Sequence, residues 1–244
     1  MSGSPAPGAT GEPEAARWVR GMFARVAGRY DLLNHLLSLQ IDRYWRRRAV
    51  RRLGPMLRRP GVLALDICCG TGDLLLALEA ERGAGVLGSD FCHPMLLEAR
   101  RKIARRRRAS VLFEADALSL PLADGSLDLI TAAFGFRNLA NYQKGLQEMR
   151  RVLKPGGAAA ILEFSQPGNR LVAALYKFYS ARILPAVGGF ISGDRAAYRY
   201  LPDSVRRFPT PEQLAAAMNA AGFSRVEFER MSGGIVTLHV GHRL

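Results

Sequence analysis

The chain has 244 residues, 48% of them hydrophobic and 23% charged, the balance of one water-soluble globular domain with a full core. No run of about 20 uninterrupted apolar residues is present. The opening stretch lacks the basic-then-apolar order of a secretory signal, and the three cysteines, Cys68, Cys69 and Cys92, have neither metal-ligand nor disulfide spacing. These features point away from a membrane-spanning, secreted or disulfide-framed protein and towards the reducing cytosol, while a net charge of +14 suits anionic partners, nucleic acid or a membrane surface.

Residues 1–14, rich in Gly, Pro, Ala and Ser, read as a disordered tail. Residues 15–59 read as a helical cap with twelve arginines against two aspartates between Arg17 and Arg59. Trp18, Met22 and Val26 recur there at helical spacing with Val19 and Phe23 beside them, so the segment suits an amphipathic helix on an anionic membrane, a solvated face being the alternative. Then come a buried strand Val62–Cys68, a helix over 72–81, a strand Gly85–Asp90, and a helix His93–Arg108 with Pro94 in its first turn. That helix ends in a second basic cluster, Arg100, Arg101, Lys102 and Arg105–Arg108, with no interleaved aromatic residue. Further strands are expected at Val111–Asp116, Leu127–Phe134 and Ala158–Phe164, with a helix Tyr142–Leu153 stopped by Lys154-Pro155-Gly156-Gly157. Residues 170–208 break the rhythm. A helix Pro211–Ala221 and strands Arg225–Met231 and Ile235–Arg243, joined by a short turn, close the chain. No internal repeat is present. The alternation predicts an α/β fold with a doubly wound parallel sheet, helices on both faces and a terminal hairpin.

The corner Asp66-Ile67-Cys68-Cys69-Gly70-Thr71-Gly72-Asp73 joins the first strand to its helix. Such a corner binds ligands outside the carboxyl ends of the strands. A dinucleotide fingerprint needs a third glycine, and Leu75 stands there; Asp73 would oppose a pyrophosphate. Carboxylates instead close three successive strands: Asp66, Asp90 and Asp116. They suit S-adenosylmethionine, a phosphate-free ligand with a sulfonium, an ammonium and a ribose diol. Asp66 falls near the methionine end, Asp90 near the ribose hydroxyls, and Asp116 with the Ala117 backbone beside the adenine amine. Gly70, Thr71 and Gly72 complete the expected set. Each carboxylate taken alone also reads as a cap or turn residue. Seven strands with one antiparallel is the arrangement of class I S-adenosylmethionine-dependent methyltransferases, a Rossmann-like fold, here a single domain over 15–244 with the cap at 15–59 and a lid-like insertion at 170–208.

Two further elements narrow the reading. Phe134-Gly135-Phe136-Arg137-Asn138-Leu139, followed by Tyr142, Gly145-Leu146, Glu148-Met149 and Arg151-Val152-Leu153-Lys154-Pro155-Gly156-Gly157, resembles the ubiquinone/menaquinone biosynthesis C-methyltransferases. Upstream, Phe23, Val26-Ala27, Tyr30-Asp31, Asn34, Leu37-Ser38, Arg43 and Trp45 are similar to that family's cap; downstream, Glu163-Phe164-Ser165 and Tyr198-x-Tyr200-Leu201-x-x-Ser204 match it. The resemblance covers about residues 20–244. The departures are Asp42 where the family has His, Ala133 where many relatives carry Ser near the cofactor, and Cys68-Cys69 before Gly70.

The resemblance implies transfer of a methyl group to a ring carbon of a prenylated quinol, demethylmenaquinol to menaquinol. A ubiquinone-precursor benzoquinol or another lipid-like small molecule is the alternative. It also implies a cytoplasmic enzyme in peripheral contact with an anionic membrane on its inner face. Oligomeric state stays open, a homodimer among the options. Ring methylation requires a phenolate, and phenols ionise near pH ~10. Arg137 is the candidate to stabilise it, with Asn138 and Tyr30 holding ring oxygens. The plainer readings are Arg137 paired with Asp31 or Asp128, Asn138 capping the next helix, and Tyr30 as packing. His35 and His93 are weaker candidate bases, and no metal is expected. Residues 171–201, including Leu171, Leu175, Tyr176, Phe178, Tyr179, Ile183, Leu184, Phe190, Ile191, Tyr198 and Tyr200, would cover the prenyl tail. Enzymes that modify bases usually carry an Asn/Asp-Pro-Pro-aromatic element where Phe134–Asn138 stands, so no nucleic-acid substrate is expected. A scaffold that binds cofactor without turnover would not need these carboxylates and Arg137.

Overall fold

Short, apolar, β-rich segments form the strands: β1 (Ala64–Ile67), β2 (Leu87–Asp90), β3 (Val111–Glu114), β4 (Leu127–Ala133), β5 (Leu153–Phe164), β6 (Ser224–Met231) and β7 (Val236–His242). In the computed structural model, which describes residues 9–179 and 195–244 with residues 3 and 182, they make one seven-stranded sheet in the order β3-β2-β1-β4-β5-β7-β6. Neighbours from β3 to β5 run parallel. β7 runs antiparallel to both β5 and β6, so the antiparallel strand, last in the chain, lies between two others in space.

Period-2 alternation in central strands buries both faces. Along β5, Ala158, Ala160 and Leu162 join Leu129, Leu238 and the leucines of two helices, α3 (Ile41–Leu57) and α4 (Asp73–Arg82). Ala159 and Ile161 face the other way, onto α6 (Tyr142–Val152) and a later helix that starts at Pro211. Caps mark the ends of these helices: Gly83 is left-handed after α4, and the Asn141 side chain accepts from the Lys144 amide at the start of α6. The remaining helices are α1 (Glu12–Val26), α2 (Tyr30–Leu37), α5 (His93–Arg105), α7 (Arg170–Phe178), α8 (Arg195–Arg207) and α9 (Pro211–Ala220).

Several expectations shift. α1 begins at Glu12, inside the stretch expected to be tail. Lys154–Gly157 does not stop α6: β5 already starts at Leu153, and Gly156, at φ +82°, donates to the Arg243 carbonyl, so these glycines bend a strand. Asp116 stands two residues beyond β3 in an isolated bridge to Ser119. The apolar face of α1 is spent inside the fold: Val19 and Met22 pack with Tyr200, and Val26 packs with Cys92 and Met95. In the second basic cluster Lys102 turns inward to Asp31 and Asp73, while Arg101 pairs with Glu98 one turn away. Of the insertion expected to cover a tail, Ile183, Leu184, Phe190 and Ile191 lie outside the described residues.

Candidate active site

The corner after β1 alternates handedness: Cys68, Gly70 and Gly72 take φ of +50°, +54° and +85°. At Gly72 a Cβ would stand 3.3 Å from that of Ala99 on α5, so glycine lets the helix close in. At Gly70 a Cβ would meet nothing within 4 Å, because the chain there faces open space. Asp90, ending β2, holds this corner in place: one carboxylate oxygen accepts from the Gly70 amide and the other from the Cys92 amide, each at 2.9 Å. Burial nevertheless pushes its pKa up to about 6. Asp66 is buried deeper, accepts from the Thr131 hydroxyl at 2.7 Å, and is pushed up to about 7 by the same desolvation. Asp116 is exposed, and its Oδ1 accepts from the Leu118 amide at 2.9 Å in a local turn.

These groups line one cleft of about 950 Å³, its open mouth included. Asp66, Gly70, Thr71, Asp90, Asp116 and Ala117 line it together with Tyr30 and Phe23 from the cap and Phe134, Gly135 and Asn138 after β4. Gly72 and Arg137 are not in the lining. Arg137 is buried behind it, its Nη1 donating to Glu163 at 2.8 Å and to the Phe134 carbonyl, its Nε to the Ser204 hydroxyl at 3.3 Å. The Arg137 amide donates to the second Glu163 oxygen at 3.1 Å, and its carbonyl accepts from the Tyr142 hydroxyl at 2.9 Å. The partner of Arg137 is thus Glu163 rather than Asp31 or Asp128; Asp128 pairs with Lys154 at 2.8 Å. Asn138 accepts from the Tyr200 hydroxyl at 3.1 Å and leaves the capping of α6 to Asn141. Gly135 is required by proximity: a Cβ there would stand 2.4 Å from that of Cys68, so the corner after β4 touches the corner after β1.

The cap reaches the corner after β1 through a polar network that sequence spacing does not show. The Thr71 hydroxyl and Lys102 both meet Asp31, and Lys102 meets Asp73 at 2.7 Å. His35 lies 2.8 Å from Asp42 and 3.4 Å from Asp73. Arg46 pairs with Asp42, sits 5.2 Å over the Phe134 ring and lines the cleft. Nothing in the run of arginines after Arg43 marks Arg46 as the one that turns inward, and Glu163 was legible only as part of a family motif. His93 pairs with Glu114 on the surface, away from the lining. Donor atoms of His35, Asp42 and Asp73 lie within 4.8 Å of one another, but Arg46 and Lys102 already serve those carboxylates, which makes the group an ion-pair network.

Chemically, the cleft pairs two desolvated carboxylates with an open glycine turn. An anion pushed towards neutrality by burial is relieved by a cation or by hydroxyl donors, and a phosphate ligand would add repulsion. A donor set of buried carboxylates therefore fits the cationic, phosphate-free S-adenosylmethionine.

Comparison with known proteins agrees. The model of the ubiE/COQ5 methyltransferase family matches residues 11–243. A Thermus thermophilus protein named demethylmenaquinone methyltransferase is 51% identical over 223 residues, covering 91% of this chain and all of that protein. A Deinococcus radiodurans protein of the same name is 45% identical, covering 92% of each chain. Among solved structures, a Thermotoga maritima S-adenosylmethionine-dependent methyltransferase described as a possible histamine N-methyltransferase aligns with a TM-score of 0.65 at 19% identity, covering 92% of this chain and 99% of that one; at that identity the likeness concerns the fold.

Proposed function

This chain belongs to the ubiE/COQ5 methyltransferase family, and from that premise we propose that it methylates a ring carbon of demethylmenaquinol, a naphthoquinol with a prenyl tail. It is an S-adenosylmethionine-dependent methyltransferase. When bound, the donor supplies an electrophilic methyl group on a cationic sulfur. The observation that carries the proposal is that one cleft is lined both by Asp66, Asp90 and Asp116, suited to the donor, and by Tyr30 and Asn138, suited to an acceptor. Asp90 takes the ribose hydroxyls, Asp66 the ammonium, and Asp116 with the Ala117 backbone the adenine amine. Gly70, Thr71 and Gly72 shape the turn that lets the ligand approach.

On the acceptor side, Tyr30 and Asn138 hold the ring oxygens. Arg137 acts from behind the lining: burial raises the pKa of the Tyr30 phenol and the Arg137 charge offsets part of that rise, while its bonds to Glu163 and Phe134 fix the Phe136–Asn138 turn that presents Asn138. It is a positioning residue whose field favours the ionised ring. Among the described residues no histidine lines the cleft; the ring hydroxyl gives its proton to water at the cleft mouth, the ring carbon gains the methyl group, and loss of that carbon's own proton, with the oxygen reprotonated, restores the aromatic ring. Apolar Phe23, Phe91, Met95 and Leu118 keep the remainder of the cleft dry.

Two relatives named for demethylmenaquinone favour the naphthoquinol over a benzoquinol. No described helix is long and apolar enough to cross a membrane, and a tailed quinol resides in a bilayer, so the enzyme works in peripheral contact with the inner face of the cell membrane. The cap, with α7 and α8, would close over the ring and tail. The test supplies labelled methyl donor with demethylmenaquinol, a demethylated benzoquinol precursor, or RNA. Transfer to the naphthoquinol is expected; transfer only to the benzoquinol or to RNA would refute the proposal.

A further inference from the structure

Helix α2 is built inside out. Asp31 and His35, one turn apart, face the body of the protein through Thr71, Lys102, Asp42 and Asp73. Leu32 and Leu36, also one turn apart, face outward at 63% and 46% exposure, and Leu39 in the following turn is 72% exposed. A surface helix of a soluble protein normally buries such a stripe. Ile41 and Tyr44 at the start of α3 are exposed as well, so the apolar surface continues across the corner between the two helices. At the end of α7 the Tyr179 hydroxyl donates to the Leu37 carbonyl, and the neighbouring Phe178 is exposed.

Basic side chains flank this surface. Arg43, Arg47 and Arg51 repeat at four-residue spacing on the exposed side of α3. None of them pairs with a carboxylate among the described residues, whereas Arg48 and Arg52 are taken by Glu229 and Glu227. Tyr30, on the same helix as the exposed leucines, lines the cleft, so the apolar corner adjoins the site.

We propose that the α2–α3 corner docks on an anionic bilayer: Leu32, Leu36, Leu39, Ile41 and Tyr44 enter the headgroup region, and Arg43, Arg47 and Arg51 meet lipid phosphates. The proposal rests on the reading of a tailed quinol substrate, whose tail would pass from the cleft into the bilayer along this corner. It moves the membrane contact expected of the apolar face of α1, which is buried, to α2 and α3. A second copy of the chain fits the surface poorly. A two-fold interface would set the patch against itself and bring the two arginine rows together on chains of net charge +14. Leu32, Leu36, Leu39 and Ile41 are aliphatic, so most of the patch offers no stacking platform for nucleobases.

The experiment co-sediments the full chain with phosphatidylcholine vesicles, with and without phosphatidylglycerol, for wild type, Leu32→Glu/Leu36→Glu/Leu39→Glu and Arg43→Gln/Arg47→Gln/Arg51→Gln. Circular dichroism and methylation of a tail-less demethylnaphthoquinol in vesicle-free buffer accompany each variant. The substituted side chains are exposed, so folding and tail-less turnover should match wild type. Wild type should bind phosphatidylglycerol vesicles and be released by salt. The leucine variant should lose at least ~10-fold in partitioning, and the arginine variant about fivefold per charge on anionic vesicles only. Binding of the leucine variant within about twofold of wild type would overturn the proposal, as would no vesicle binding by wild type, or a wild-type dimer that the leucine variant converts to monomer. A failed tail-less reaction in wild type would count against the quinol reading and leave the vesicle result to judge the docking surface separately.

Discussion

Replacing Gly135 with Ala tests how the cleft is held together. Gly135 has φ −117° and ψ −27°, which alanine adopts without strain. The cost is therefore steric: the new methyl would stand 2.4 Å from the Cys68 Cβ and 3.2 Å from the Cys68 carbonyl oxygen. The first contact is with a carbon fixed to the backbone, so the two corners must move apart, at about 1–3 kcal/mol. Cys68→Gly removes the obstructing carbon. It also removes a left-handed non-glycine residue at φ +50°, worth roughly 1–2 kcal/mol, against about 0.5–1 kcal/mol of added chain entropy. Cys68→Gly should thus fold within about 1 kcal/mol of wild type, and the double variant should recover most of the loss seen in Gly135→Ala. Urea unfolding of all four proteins closes the cycle, with an expected coupling of about 1–3 kcal/mol. Donor affinity, measured by calorimetry, should fall in Gly135→Ala and return in the double variant. Additive stabilities would refute the inference that these two corners are in contact.

Other perturbations address the charges. Burial raises Asp66 to about 7 and Asp90 to about 6, above the usual ~3.9, so the folded chain holds these protons more tightly than the unfolded one. Stability of the unliganded protein should then decline from about pH 4 to about pH 7; Asp66→Asn should flatten the upper part of a Tm-against-pH profile, and parallel profiles would contradict this. Arg137→Gln strands Glu163 in the core and should cost about 3–5 kcal/mol. Adding Glu163→Gln should restore melting temperature while turnover stays low, and recovery of both would show that the guanidinium charge is dispensable. Tyr30→Phe and Asn138→Ala should each lower kcat/KM for the quinol about 10–100-fold if they bond an ionised ring oxygen, with donor affinity unchanged; a fall in donor affinity alone would reassign them.

The sequence by itself determined the strand-to-helix corners and the ligand class. Gly70, Gly72, Asp66 and Asp90 are local devices: a turn that needs positive φ and a carboxylate at a strand end are written in contiguous residues, and Leu75 in place of a third glycine already argued against a dinucleotide. The same locality misled at Lys154–Gly157, where glycines that end many helices instead bend β5. Tertiary structure decided what each charge and each apolar stripe faces. Arg137 meets a glutamate 26 residues away, Arg46 alone among its neighbouring arginines turns into the cleft, and two helices with similar leucine and valine spacing have opposite fates. The stripe of α1 is covered by residues such as Met95 and Tyr200, far along the chain, while that of α2 stays bare. Periodicity identifies a stripe, but its partner comes from elements distant in sequence, so burial and pairing emerge only once the chain has folded.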